Sequence, residues 1–220
     1  MQHKDGGRES NNTQASYDKV AAQYAVQYLP ELEHKPLERE LLDRFAVLVK
    51  EIGGRACDLG CGPGQVARYL HGRGVEVFGI DLSPGMVKQA QQANPGIHFQ
   101  QGDMRALALP DDSLAGIAAF YSLIHIPREE VTSVLKELSR VLRLGGVLLL
   151  SFHIGDEVLH LDEWWGKPVC VDFTFFERAE MERYLLDAGF EVGDVVERPP
   201  YPEIEYQSHR AYIFARKPGP

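Results

Sequence analysis

The sequence predicts an α/β fold, a mostly parallel sheet covered by helices on both faces. Three observations lead there. Short apolar strands alternate with helical stretches, a glycine-rich turn follows the first strand, and an acidic residue ends or follows each of the first three strands. With 220 residues, 44% of them hydrophobic, the chain can bury a continuous core without disulfides or a structural metal.

In chain order, residues 1–14 are polar and read as a mobile tail, with order beginning near Ser16. A single domain over residues 15–217 follows. Tyr17, Val20, Ala21, Tyr24, Ala25 and Tyr28 recur at helical spacing. Pro30 and Pro36 interrupt them before a second amphipathic helix with Leu37, Leu41, Leu42, Phe45 and Leu48, so residues 15–50 read as an N-terminal helical cap. Arg55 to Leu59 and Val75 to Ile80 read as strands around a helix from Gln65 to His71. A helix near Met86 to Ala93, strands at Ile97 to Gln100 and Ala115 to Phe120, and a helix near Glu129 to Leu142 continue the alternation. Gly145-Gly146 is expected to end that helix, and Val147 to Phe152 forms the next strand.

Residues 153–176 break the rhythm and read as a lid-like insertion rich in aromatic residues. A helix near Arg178 to Ala188 stops at Gly189. Two final strands, Phe190 to Glu197 and Tyr206 to Arg216, flank Pro199-Pro200-Tyr201-Pro202 and imply an antiparallel hairpin.

Composition narrows the function. A formal charge of -9 with no Lys/Arg run makes nucleic acid a poor partner. No apolar run suffices to cross a bilayer, and the N-terminal segment lacks a signal-peptide core, so no membrane partner and a cytoplasmic location are expected. Cys57, Cys61 and Cys170 match neither a redox pair nor a zinc knuckle, so no metal is expected.

Ligands of doubly wound sheets sit beyond the carboxyl ends of the strands, where Gly60, Gly62 and Gly64 lie. Their spacing departs from a dinucleotide fingerprint, since Gln65 occupies the third glycine's slot. Asp58 would repel a pyrophosphate but favour a sulfonium or ammonium charge. Asp81 can accept from both hydroxyls of a ribose, and Asp103 from an adenine amino group.

On these residues the chain resembles the class I S-adenosylmethionine-dependent methyltransferases, in particular the small bacterial subgroup acting on diffusible substrates, from about Tyr17 to Lys217. Asp58 to Gly64, Gly79 to Met86, Gln101 to Met104 and Leu144 to Gly146 carry the resemblance. It implies a Rossmann-like fold whose seven-stranded sheet has an antiparallel last strand, and S-adenosyl-L-methionine as cofactor, with S-adenosyl-L-homocysteine as product. Asp58, Gly60, Cys61, Gly62 and Gly64 would hold its methionine part, Asp81 its ribose, and Leu82, Met86, Asp103 and Met104 its adenine. Tyr24 and Tyr121 would close on the same ligand. Ala115 to Ala118 depart from the acidic start common for the fourth strand in this family.

The expected reaction is methyl transfer to an oxygen or nitrogen of a small molecule by a monomer or homodimer. A binding module of the same fold without transfer and a nicotinamide oxidoreductase are the alternatives. His125, after the fourth strand, is the first candidate base or orienting group, and His153, after the fifth, the second. Tyr17, His125, Trp164, Trp165, Tyr201 and Arg210 are candidate acceptor contacts, Arg210 as a partner for a substrate carboxylate. Lys35 is a candidate for the cofactor carboxylate. Pro199-Pro200-Tyr201 is similar to an element of nucleic-acid amino methyltransferases, but it lies far from the fourth strand where that element belongs.

Overall fold

The computed structural model describes residues 6–219, with side chains from residue 12 onward. Its elements are α1 (Gly6–Tyr28), α2 (Pro36–Ile52), β1 (Ala56–Leu59), α3 (Gln65–Gly72), β2 (Val77–Asp81), α4 (Pro84–Ala93), β3 (His98–Gln101), β4 (Leu114–Phe120) and α5 (Arg128–Val141). They continue with β5 (Leu142–His153), β6 (Val158–Trp164), β7 (Lys167–Thr174), α6 (Arg178–Asp187), β8 (Glu191–Arg198) and β9 (Arg210–Arg216). Seven strands form one sheet in the order β3-β2-β1-β4-β5-β9-β8. Strand β9 pairs antiparallel with both β5 and β8, so it alone runs against the others, as the sequence implied. The chain winds outward from β1 through β2 to β3, then crosses back to β4, so β1 and β4 flank the switch point where such sheets bind ligands.

Alternation along the strands feeds two cores. Cys57, Leu59, Leu148 and Leu150 pack under α5 and α6, while Ala56, Val147 and Leu149 pack under α2, α3 and α4. A third cluster joins α1 to the strands after β5, with Val20 against Val169 and Val171. Among the described residues no helix is long and apolar enough to cross a membrane.

Four expectations change. Residues 153–176 hold a two-stranded antiparallel hairpin, β6 with β7, that packs on α1. Its turn is Trp165-Gly166, both at positive φ (53° and 74°), the geometry of a tight two-residue hairpin loop. Helix α5 ends at Val141 and Gly145-Gly146 lie inside β5. Gly145 donates its N–H to the Lys217 carbonyl and Gly146 accepts from the Lys217 N–H, so pairing with the chain's end makes that stretch extended. Helix α1 runs from Gly6, further toward the N-terminus than Ser16, because adding turns to an anchored helix costs less than nucleating one. Residues 1–5 of the expected tail lie outside the described residues. The helical cap divides: α1 covers the carboxyl edge, whereas α2 lies on a sheet face. The departure at Ala115 to Ala118 leaves β4 paired with β1, Ala56 opposite Gly116 and Cys57 opposite Ile117.

Candidate active site

The carboxyl ends of β1, β4 and β5, with α1 and the β6-β7 hairpin above them, enclose a cavity of about 490 Å³. One wall is built from backbone. Gly60 has φ +69° and abuts the loop after β4 so closely that a Cβ there would stand 2.3 Å from Ser122 Cβ. Asp81, at the end of β2, accepts the Gly62 N–H on Oδ2 and the Ser83 N–H on Oδ1, both at 2.8 Å. Burial pushes its carboxyl up to about 6, against those two hydrogen bonds, which lower it. Ser83 caps α4 by accepting the Met86 N–H, and its hydroxyl donates to Asp18 of α1 at 2.5 Å. Asp18 also accepts the Gly85 N–H at 2.8 Å, which fixes α1 to this wall. Leu82, Met86 and Met104 give the wall its apolar faces, and Asp103 lies beside them, accepting the Arg105 N–H at 2.9 Å.

Asp58 is set back from the cavity. It is buried, accepts the Ala67 N–H at 2.9 Å, and is pushed up to about 7 chiefly by that burial. Its local task is to fasten the turn to the first residues of α3, where unpaired N–H groups need an acceptor. Cys61 and Gly64 also stand behind the cavity surface, while Gly60, Gly62 and Tyr24 reach it.

The opposite wall is built from side chains far apart in sequence. His125 Nδ1 lies 2.9 Å from the Asp172 carbonyl of β7, and its Nε2 lies 2.8 Å from the Tyr17 hydroxyl of α1. A carbonyl only accepts, so Nδ1 carries the proton and Nε2 accepts from Tyr17. Burial lowers His125 to about 4, keeping the ring neutral. Burial also raises the Tyr17 hydroxyl, so it keeps its proton. Trp164 packs edge-on to Tyr17 and Tyr24, each at 5.6 Å. Ser16 closes this side by donating its hydroxyl to the Cys170 carbonyl and accepting the Cys170 N–H. Trp165 sits outside at the hairpin tip against Tyr24 and Tyr28. Tyr201 is also outside, under the Arg198 guanidinium, where its hydroxyl accepts the Leu37 N–H.

At the β4 and β5 ends, Tyr121 adopts φ +51°, a left-handed backbone that costs a non-glycine residue about 1–2 kcal/mol. Its ring stacks near His153 at 5.1 Å, and His153 stacks on Phe175 at 5.0 Å. The Tyr121 hydroxyl meets that of Tyr212 at 2.8 Å, and Tyr212 donates to Glu38. Lys35 and Arg210 each stand 5.7 Å from the Tyr121 ring centre. Burial, aided by the cation of Arg210, lowers His153 to about 3, while its Nδ1 contacts Ser208 Oγ at 2.7 Å.

The structure thus brings His125, His153, Tyr17, Trp164 and Arg210 to one cavity with Asp81, Leu82, Met86, Asp103, Met104 and Tyr121. Sequence reasoning missed Glu31, Gln65 and Glu205 on the same surface. Glu31 accepts from Lys35 and from Gln65 at 2.6 and 2.8 Å. Its i,i+4 spacing to Lys35 was a readable signal. Glu205, in the loop before β9, had none.

Residues 56–146 match the family model of a methyltransferase domain. That stretch is similar to a methyltransferase domain. The chain is 34% identical over 115 residues to a malonyl-[acyl-carrier protein] O-methyltransferase of Serratia marcescens, covering 52% of this chain and 44% of that protein. It is 35% identical over 131 residues to a trans-aconitate 2-methyltransferase of Methylobacterium nodulans, covering 58% and 48%. The aligned part is therefore about half the length of these relatives. Magnesium protoporphyrin IX methyltransferase from Synechocystis PCC 6803, solved with bound SAM, shares the fold at TM-score 0.70 and 18% identity over 99% of each chain. The methyltransferase resemblance expected from the sequence stands, and the cofactor it implied is S-adenosyl-L-methionine. The wall fits that molecule. Asp81 offers carboxylate lone pairs to a diol, Leu82, Met86 and Met104 offer apolar faces to a flat ring, and Gly60 and Gly62 leave the turn without side chains.

Proposed function

We propose that this chain transfers the methyl group of S-adenosyl-L-methionine to an oxygen or nitrogen of a small-molecule acceptor. The observation that carries the reading is a single cavity with the Gly60–Asp81 wall on one side and the neutral, tautomer-fixed His125 on the other. When bound, the cofactor supplies a methyl carbon on a positively charged sulfur, open to displacement by a lone pair. Asp81 orients the donor through its two oxygens, and Asp103 serves the far end of the same wall. Tyr17, Tyr24 and Trp164 exclude water above it, which strengthens the orienting contacts.

His125 holds and positions rather than deprotonates strongly. With its pKa lowered to about 4, Nε2 is a weak base that is free of protons throughout the neutral range. Tyr17 donates to Nε2 and presents its oxygen lone pairs as an acceptor for an incoming O–H or N–H. An acceptor whose nucleophilic atom already carries an available lone pair suits this arrangement best. A relative named for O-methyl transfer supports oxygen as one such atom.

Calorimetry with S-adenosylhomocysteine, followed by labelled methyl transfer to a metabolite panel, tests the reading. Binding in the micromolar range and label in a product are expected. Absence of binding would remove the cofactor from the proposal; tight binding with no label in any compound would leave a binding module.

A further inference from the structure

Around Glu205 the structure gathers three cations, Lys35 at 3.3 Å, Arg198 at 2.5 Å and Arg210 at 3.3 Å. All four side chains are at most 8% exposed. Charges so deeply buried require partners. Lys35 has a second carboxylate in Glu31, and Arg198 has one in Glu38. Arg210 has no second carboxylate among the described residues. Its Nη1 and Nη2 donate to the Ser208 and Tyr206 carbonyls, and its Nε–H has no acceptor among the described residues. Three cations thus meet three carboxylates, and of the two arginines it is Arg210, with its Nε–H left over, that lines the cavity.

The place of that donor is set by strand register. Arg210 opens β9 directly opposite His153, the last residue of β5, and both line the cavity. Tyr121, His153 and Phe175 form a stack of rings beside it, with Tyr206 edge-on to His153 and Phe175. Lys35 and Arg210 both act to lower the titration of Tyr121 and His153, while Glu38 acts the other way on Tyr121 and Glu205 on His153. Cation, flat apolar shelf and cavity coincide.

We infer that this end of the cavity is an acceptor subsite for a carboxylate, anchored on Arg210 with Lys35 beside it, whose apolar body lies on the Tyr121–His153–Phe175 shelf. The inference rests on the methyltransferase reading and names its substrate class. A guanidinium fork matches a planar carboxylate, and the shelf matches an aryl or unsaturated chain. His153 is the positioning residue: its ring carries the shelf and its Nδ1 is tied to Ser208.

The test is calorimetry on the full chain loaded with S-adenosylhomocysteine, titrated with phenylacetate, phenylacetamide and phenylphosphonate. Phenylacetate is expected to bind at least about tenfold tighter than the amide, a difference of ~1.4 kcal/mol. Arg210→Gln should abolish that preference while leaving S-adenosylhomocysteine affinity within about twofold, and Arg210→Lys should keep part of it. If Arg210→Gln does not fold, Arg210→Lys is read instead, with the preference for the acid reduced but not lost, and an undiminished preference would overturn the inference. Equal binding of acid and amide, no binding of phenylacetate up to ~10 mM, or preference for the phosphonate would overturn the inference. So would a loss of S-adenosylhomocysteine affinity in Arg210→Gln, which would assign the cation to the donor. Failure of the parent protein to bind S-adenosylhomocysteine would instead sink the methyltransferase reading on which this one stands.

Discussion

On the donor side of the cavity, Asp81 is held by the N–H groups of Gly62 and Ser83, and the contacts run between neighbouring loops of one βαβ unit. On the acceptor side, Tyr17 meets His125 across 108 positions and Ser16 meets Cys170 across 154. The first wall is made of backbone geometry that glycine and a strand-end acid impose locally. The second exists only once α1, the β6-β7 hairpin and the β4 loop have docked. The difference teaches that a shared donor needs a fixed cradle, while the side that selects an acceptor is assembled from distant parts that can vary independently.

Breaking the donor wall at its acid should give the largest effect. Asp81→Ala removes a buried carboxylate that holds the turn and is proposed to hold the ligand, and S-adenosylhomocysteine affinity measured by calorimetry should fall about a hundredfold, or ~2.7 kcal/mol. Affinity unchanged in this variant would refute the donor assignment. Gly60→Ala comes next. Its Cβ would meet Ser122 at 2.3 Å in a backbone with φ +69°, so stability by denaturant titration should drop about 2 kcal/mol. A smaller loss is expected for Asp18→Ala, which cuts the two hydrogen bonds between α1 and α4. About 1 kcal/mol of stability should go, with faster release of S-adenosylhomocysteine in stopped flow.

The walls also titrate in opposite senses. Asp58 and Asp81, raised from 3.8 to about 7 and about 6, bind protons in the native state that the unfolded chain does not bind. Their contribution therefore grows as pH falls from about 7 towards 4. His125 and His153, lowered from 6.5 to about 4 and about 3, contribute fully above pH 6.5 and lose it as pH falls. The two slopes oppose each other in the parent protein. In a His125→Gln, His153→Gln variant the aspartates should dominate, and the thermal midpoint should rise between pH 7 and 5 relative to its parent. Parallel curves for both proteins would show that the histidines are charged or exposed in the native state.

Legibility in the sequence follows the same division. The glycine turn, Asp81 and the alternation of strands and helices were readable because each is a local consequence of spacing. Asp58 was read as a ligand-facing charge, yet an acid at the end of β1 has a nearer partner in the N–H groups of the helix that follows the turn. The β6-β7 hairpin was obscured because Trp165 occupies a left-handed turn position more often held by Asn, Asp or Gly. Arg210 could be suspected of meeting a carboxylate, but its opposition to His153 depends on the β5-β9 register, which no short window of residues encodes.

Tyr121 holds a backbone shape suited to glycine while its ring forms part of the proposed acceptor shelf and its hydroxyl reaches Tyr212. Replacement by glycine would relieve the chain there and empty the shelf at once. At this residue robustness and usefulness are rivals, so a search for sturdier variants that ignored turnover would select against the activity it meant to preserve.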